Sequence, residues 1–320
     1  MDDHDHPGEG QISFLRHAPG DRSLLLVYPA RPGFDALTRQ STENTSLFSQ
    51  ASEAFRRLAG DDRKTVLWWG GLCAASLFNI GVWLGVAWVE RPHTEYRLWQ
   101  LMLSGIYVSV CAFRSIFPRV DLERLCLWDT SCSAIFTGRL VATVAEMCFA
   151  VQCALFLAKL SEMTNVSYLY SLSVCIVPVV VIAQLSCWYA VLTLNHLGHA
   201  IEETLWTVMV ALVAVGLTGS WFSTEGELRT FISTALVCCG GAVALMSVID
   251  VPMYIARWRQ YRGVESGYLS LWGGLKDTLV RRHSTCSWII WRREVPWMTL
   301  YFSIGVWLSI GMTLLESMAP

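Results

Sequence analysis

Charge is scarce in this sequence. Asp, Glu, Lys and Arg make up only 16% of its 320 residues, against about 25% in an ordinary soluble domain, too few to clothe a water-facing shell. Recognisable catalytic strings are missing too. No Gly-x-x-x-x-Gly-Lys loop cradles a phosphate, no Gly-x-Ser-x-Gly elbow presents a nucleophile, and no His-Glu-x-x-His string presents a metal pair. P-loop nucleotide hydrolysis, α/β-hydrolase chemistry and zincin-type proteolysis are thereby excluded. Histidine is sparse as well: of the seven in the chain, only His196 and His199 fall among the apolar runs, which excludes a histidine-rich di-iron centre. The last apolar run has no lysine, so it offers no anchor for a retinal Schiff base. No basic and aromatic surface suggests nucleic acid.

What is present is apolar. Hydrophobic residues reach 53% and the mean hydropathy is +0.41. Seven apolar runs are read at about 66–89, 98–117, 133–158, 168–193, 200–222, 230–256 and 296–315. About 20 such residues at 1.5 Å rise cross a hydrocarbon core of about 30 Å, where only helices or closed barrels satisfy their backbone. The expected fold is therefore all-α: a polytopic integral membrane protein with a seven-helix bundle. Several of the 15 Trp, among them Trp68, Trp88, Trp99, Trp221 and Trp297, stand near run ends, where an indole suits the headgroup boundary.

The flanks give an orientation. Arg56, Arg57, Arg63 and Lys64 precede the first run, Arg114, Arg119 and Arg124 mark the second connection, and the sixth carries a further set from Arg257 to Arg293. About fifteen basic residues thus face about four (Arg91, Arg97, Lys159, Arg229), and the positive-inside rule places the N-terminus in the cytoplasm and the C-terminus outside or in a lumen. The membrane itself, plasma or internal, stays open, as does oligomeric state. None of the 11 Cys falls in an outer connection, so no disulfide framework is expected. Cys126 and Cys132 are read as free thiols or acylation sites. Asn165-Val166-Ser167 is a glycosylation sequon in a very short outer loop, and its use stays open.

Residues 1–65 read as a mostly disordered cytoplasmic tail without a cleavable signal, with an interfacial helix at 46–59 where Phe48, Ala51, Phe55 and Leu58 recur at helical spacing. The start Asp2-Asp3-His4-Asp5-His6 is read as a flexible acidic tail able to hold a divalent ion only loosely. An amphipathic segment at 266–283 joins Leu269, Trp272, Leu275 and Leu279 to Lys276, Arg281 and Arg282. Such an element lies flat on a membrane, and 257–293 is expected to meet anionic lipids of the cytoplasmic leaflet. Residues 316–320 form a short outer end.

Ionisable residues inside the runs carry the functional signal, because in hydrocarbon they cost several kcal/mol unless paired or hydrated. Arg139 and Glu146, seven apart with Thr143 between, share a helical face. His196, His199 and Glu203 share another, with Glu202 to one side, and Asp250 stands just before Pro252. Gln184 and Asn79 add uncharged polarity. Most of these fall in the cytoplasmic half, implying a pocket open to that side in which Arg139 orients an anionic group or neutralises Glu146. Glu202 and Glu203 then form a cation- or proton-responsive pair with Asp250 as the facing counter-charge. A transporter or channel-like protein for a small solute, ion or proton follows, with no cofactor. Three alternatives stay open. One is an inner-leaflet lipid-modifying enzyme using His196, His199 and Glu203 as a divalent-metal site, with Glu202 and Asp250 as further candidate ligands. Another is a non-catalytic scaffold or receptor-like protein. The third, compatible with either, is polar glue, with Arg139 on Glu146 or Glu202 and Asp250 on Arg114 or Arg257. An internal echo, Phe78-Asn79-Ile80-Gly81-Val82-Trp83-Leu84 against Phe302-Ser303-Ile304-Gly305-Val306-Trp307-Leu308, is attributed to close packing at its small residues.

Overall fold

The computed structural model describes residues 62–89, 93–262 and 268–318. The helix expected at 46–59 lies outside the described residues. The long helices are α1 (Asp62–Val89), α2 (Glu95–Ile116), α3 (Ile135–Thr164), α4 (Tyr168–Thr193), α5 (His196–Trp221) and α6 (Gly226–Tyr261). They are followed by α7 (Leu271–Val280), the single turn α8 (Trp288–Trp291), α9 (Val295–Met312) and the short α10 (Leu315–Met318). Three two-residue strands form a small sheet: β1 (Arg119–Val120) is antiparallel to β2 (Leu125–Cys126), which runs parallel to β3 (His283–Ser284).

Six of these helices, α1, α3, α4, α5, α6 and α9, are long and apolar enough to cross a membrane, as a multi-pass membrane protein requires. The outward faces agree: Trp88, Phe222, Val237 and Val248 are each more than 70% exposed, a cost in water but not in lipid. The seventh expected run corresponds to α2, which has the length but is more polar than the rest. Its polarity points inward. Gln100 and Gln152 of α3 exchange side-chain amide bonds at 3.0–3.2 Å, and Ser309 of α9 donates to Gln152 at 2.6 Å while its hydroxyl pairs with that of Ser104 at 3.0 Å. All four are buried. Between helices in lipid there is no hydrophobic drive, so such bonds and close packing hold the bundle.

Consecutive helices from α1 to α6 pack on one another, and α9 closes against α1, α2 and α3. The direction of α2 follows from two indoles of α1: Trp83 donates to Leu101 near the start of α2, and Trp69 to Ile116 at its end. One apolar core lies among α3–α6 around Leu157, Leu160, Ile176, Met209, Leu217 and Ile232. A second joins α1, α2, α8 and α9 around Leu72, Tyr107, Trp291, Phe302 and Val306.

Caps explain where the helix ends depart from the apolar runs. Leu194 adopts a left-handed conformation (φ 61°) that stops α4, and the Asn195 side chain accepts the Leu197 N–H, so α5 starts at His196 and not at 200. Asn165 likewise ends α3 left-handed (φ 56°), leaving a three-residue turn around the sequon. Two π-turns interrupt long helices, Met246–Asp250 in α6 ahead of Pro252 and Tyr301–Gly305 in α9. Asn79 of α1 braces the second by donating to the Phe302 carbonyl at 3.0 Å and accepting from Trp307 at 2.9 Å, while Phe78 stacks on Trp307. The two echoing segments therefore touch each other. The packing role expected of Gly81 and Gly85 is not met, since a Cβ at either would meet nothing within 4 Å, whereas Gly305 lies against the Tyr107 hydroxyl.

Candidate functional site

A chain of charged and polar side chains runs through the bundle at the end that holds the β-sheet. Arg139, one turn into α3, and Glu146, two turns further, form the central ion pair, as their spacing leads one to expect. Arg139 also donates to Gln184 of α4 at 3.2 Å and lies 3.9 Å from Glu202 of α5. The other Glu146 oxygen accepts from Tyr301 of α9 at 3.5 Å and faces Arg114 of α2 at 3.8 Å. Arg114 in turn spreads over the Tyr301 and Phe302 rings. At the far side Glu202 bonds His199 Nδ1 at 2.5 Å, and the His199 ring stacks on Tyr254 of α6 at 5.1 Å. Arg139, Glu146, His199 and Glu202 are each no more than 7% exposed. An isolated buried pair seldom repays its desolvation, and here each charge is shared by more than one partner.

The remaining candidates sit around this chain. Glu203 is half-buried, with one carboxylate oxygen enclosed and without a hydrogen-bond partner among the described residues. Asp250 is half-buried in the α6 π-turn; it and Glu203 form no ion pair among the described residues. His196 packs on Tyr261 at 5.2 Å with its Nδ1 enclosed and without a hydrogen-bond partner among the described residues. Thr143, on the Arg139 face, accepts instead from Trp188 at 3.0 Å. The arginines considered for Asp250 are taken elsewhere, Arg114 by Glu146 and Arg257 by Glu123 at 3.3 Å.

Of the residues considered as metal ligands, His199 and Glu202 join a compact ligand cluster among the described residues. Its third member is Cys187, not His196 or Glu203. The α4–α5 contact decides this. A Cβ at Gly198 would lie 2.7 Å from the Ser186 carbonyl, so the two backbones nearly touch there, turning Glu202, one turn on, toward α4. Cys187 was not evident from sequence, because its partner helix and the closeness of that approach are tertiary facts.

A lid of loops covers this end. Arg124 is buried, bonding Asp277 of α7 at 2.9 Å and the Val191 carbonyl at 2.8 Å. Arg119 reaches the Ala134 carbonyl ahead of α3 at 2.9 Å, and burial lowers its pKa to about 10. Burial likewise pushes the Cys126 thiol up to about 12, so it is a packed thiol and not a nucleophile. All eleven cysteines are free. Two apolar clefts lie elsewhere, one of about 460 Å³ between α6 and α9 beside Phe231, Cys238 and Trp307, the other on α5 beside Leu197 and Ile201. Comparison with protein-family models, with curated proteins and with solved structures returns no match for this chain.

Proposed function

We propose that the chain is a seven-crossing membrane transport protein, with α2 as the seventh crossing and the β-sheet end in the cytoplasm, and that the buried charged chain binds and passes a small cation or a proton. The observation that carries this reading is the charge count. Glu146, Glu202, Glu203 and Asp250 stand against Arg114 and Arg139, and both arginines are already engaged by Glu146. Surplus carboxylates at membrane depth call for a cation, bound or as a proton. The groups belong to α2, α3, α5, α6 and α9, so a change in their pairing would bear on the whole bundle.

The antiparallel run of α2 along α1 supports the seventh crossing. The exposed Leu271, Trp272 and Leu279 of α7, with Lys276 over the Trp272 ring, support contact with an anionic cytoplasmic leaflet.

Flux in proteoliposomes holding a pH-sensitive dye, driven by a potassium gradient with valinomycin, tests the reading for protons, and radioactive sodium or rubidium uptake tests it for cations. The wild type is expected to exceed empty vesicles, and Glu146→Gln to lose at least tenfold while still inserting and eluting as a monodisperse species. Equal flux in wild-type and empty vesicles for all three ions removes the transport reading and leaves the enzyme and scaffold readings.

A further inference from the structure

The α4–α5 hairpin sets a thiol, an imidazole and a carboxylate side by side inside the bundle. One ligand atom each from Cys187, His199 and Glu202 lies within 4.8 Å of the others, and all three residues are buried. Two features hold them in register. The helices are joined only by Leu194 and Asn195, the first left-handed and the second capping α5. One residue from His199, Gly198 rests on the α4 backbone at Ser186 and Ala190, the residues that bracket Cys187. Ligands from two helices are thus set by backbone contact, as a preorganised site requires.

The donor set selects the ion. Calcium and magnesium take oxygen ligands, whereas sulfur with imidazole and one carboxylate suits a borderline-soft cation, zinc foremost. The charges also balance. A thiolate at Cys187 and a carboxylate at Glu202 neutralise a dication, and the adjoining Arg139–Glu146 pair is neutral as a unit. We propose that Cys187, His199 and Glu202 bind a zinc-class divalent cation with three protein ligands. On binding, the thiol gives its proton to solvent and His199 carries its remaining proton on Nε2, freeing Nδ1 for the metal. The His199–Glu202 contact, now 2.5 Å, opens to the roughly 3.3 Å that two ligands of one tetrahedral zinc keep, less than 1 Å of side-chain movement. Gln184, nearly a turn before Cys187 on α4, has a buried amide nitrogen without a hydrogen-bond partner among the described residues. It is a donor for a water on the fourth position.

This inference does not rest on transport: a protein that moves no ion can hold the metal, and the flux assay reads neither the thiolate nor the imidazole. The test uses the full chain in detergent with His4 and His6 replaced by alanine, so that the acidic tail offers no competing imidazole. After chelation, cobalt(II) is titrated in. One equivalent is expected to give visible ligand-field bands and a near-ultraviolet thiolate-to-cobalt charge-transfer band, both discharged by zinc. Cys187→Ser should abolish the charge-transfer band, and His199→Gln should weaken binding at least tenfold. Zinc should raise the melting temperature of the parent and leave that of Cys187→Ser unchanged, a comparison made at matched monodispersity so that misfolding is not read as lost binding. A monodisperse parent without the charge-transfer band, or a band that survives in Cys187→Ser, overturns the proposal.

Discussion

Glu294 stands at the entry to α9, half-buried, facing Glu123 and Asp121 of the β1–β2 region and Asp250 and Arg257 of α6. Burial first, then the Glu123 charge, raise its pKa from 4.5 to about 7, with Arg257 only partly opposing. A carboxyl that keeps its proton longer in the folded chain binds more protons there than in the unfolded one between those two values. Stability therefore falls as pH rises from about 4.5 to about 7 and levels off above. In Glu294→Gln this contribution is absent, so the variant is expected to melt higher than the wild type at pH 8 and to lose the Glu294 share of the slope below pH 7. Equal melting temperatures for the two proteins at pH 8 would refute this. The same residue marks a boundary of sequence reasoning. Arg139 and Glu146 were legible because one helix carries both at a fixed spacing. Glu294, Tyr301, Tyr254 and Cys187 acquire their surroundings from other helices, and no periodicity within their own segments announces it.

At the scale of elements, apolar runs located the crossings, but the two kinds of residue that interrupt them meant different things. Charged residues such as Arg139 and Glu146 marked the candidate site. Gln100, Gln152, Ser104 and Ser309 lock α2, α3 and α9 together, and in sequence they register only as dilution of an apolar run. The π-turns were equally hidden, although Pro252, which cannot donate a helical hydrogen bond, stands two residues after one of them. The amphipathic segment expected at 266–283 is narrower in the structure, Leu271–Val280, and one face of it is seated. Gly274 lies so close to α4 that a Cβ would fall 1.8 Å from the Leu192 carbonyl oxygen, with Arg124–Asp277 beside it. Backbone cannot yield as a flexible side chain can, so Gly274→Ala is expected to cost about 1–3 kcal/mol by overpacking, confined to this docking. Hydrogen exchange of the α7 amides should accelerate about tenfold or more while α3 and α4 keep their protection. Unchanged exchange in α7 would mean that the helix is held by something other than this seat.

For the whole molecule, the decisive asymmetry is that the charged chain, the β-sheet, α7 and most of the basic residues share one end, whereas the other end is tied by smaller contacts such as Thr94–Glu316 at 2.6 Å and Tyr96 on the Met312 carbonyl. If the basic end is cytoplasmic, the acids lie toward the cytosol beneath the lid of loops, and the Leu157–Met209–Ile232 core fills the opposite half of the bundle. If it is not, the charged chain lies nearer the outer face and α7 meets the outer leaflet. A native reporter distinguishes the two. Cys132 is exposed in the loop ahead of α3, outside the spans, while the other exposed cysteine, Cys175, lies within α4. A membrane-impermeant maleimide applied to intact cells is expected to leave Cys132 unlabelled until the membrane is permeabilised; in sealed right-side-out organelles, whose outer surface is the cytosolic face, it is expected to label Cys132 at once. Cys132→Ser should abolish the labelling gained on permeabilisation. Full labelling of Cys132 in intact cells, or its protection in sealed organelles, would invert the molecule and place the basic end outside against the positive-inside rule.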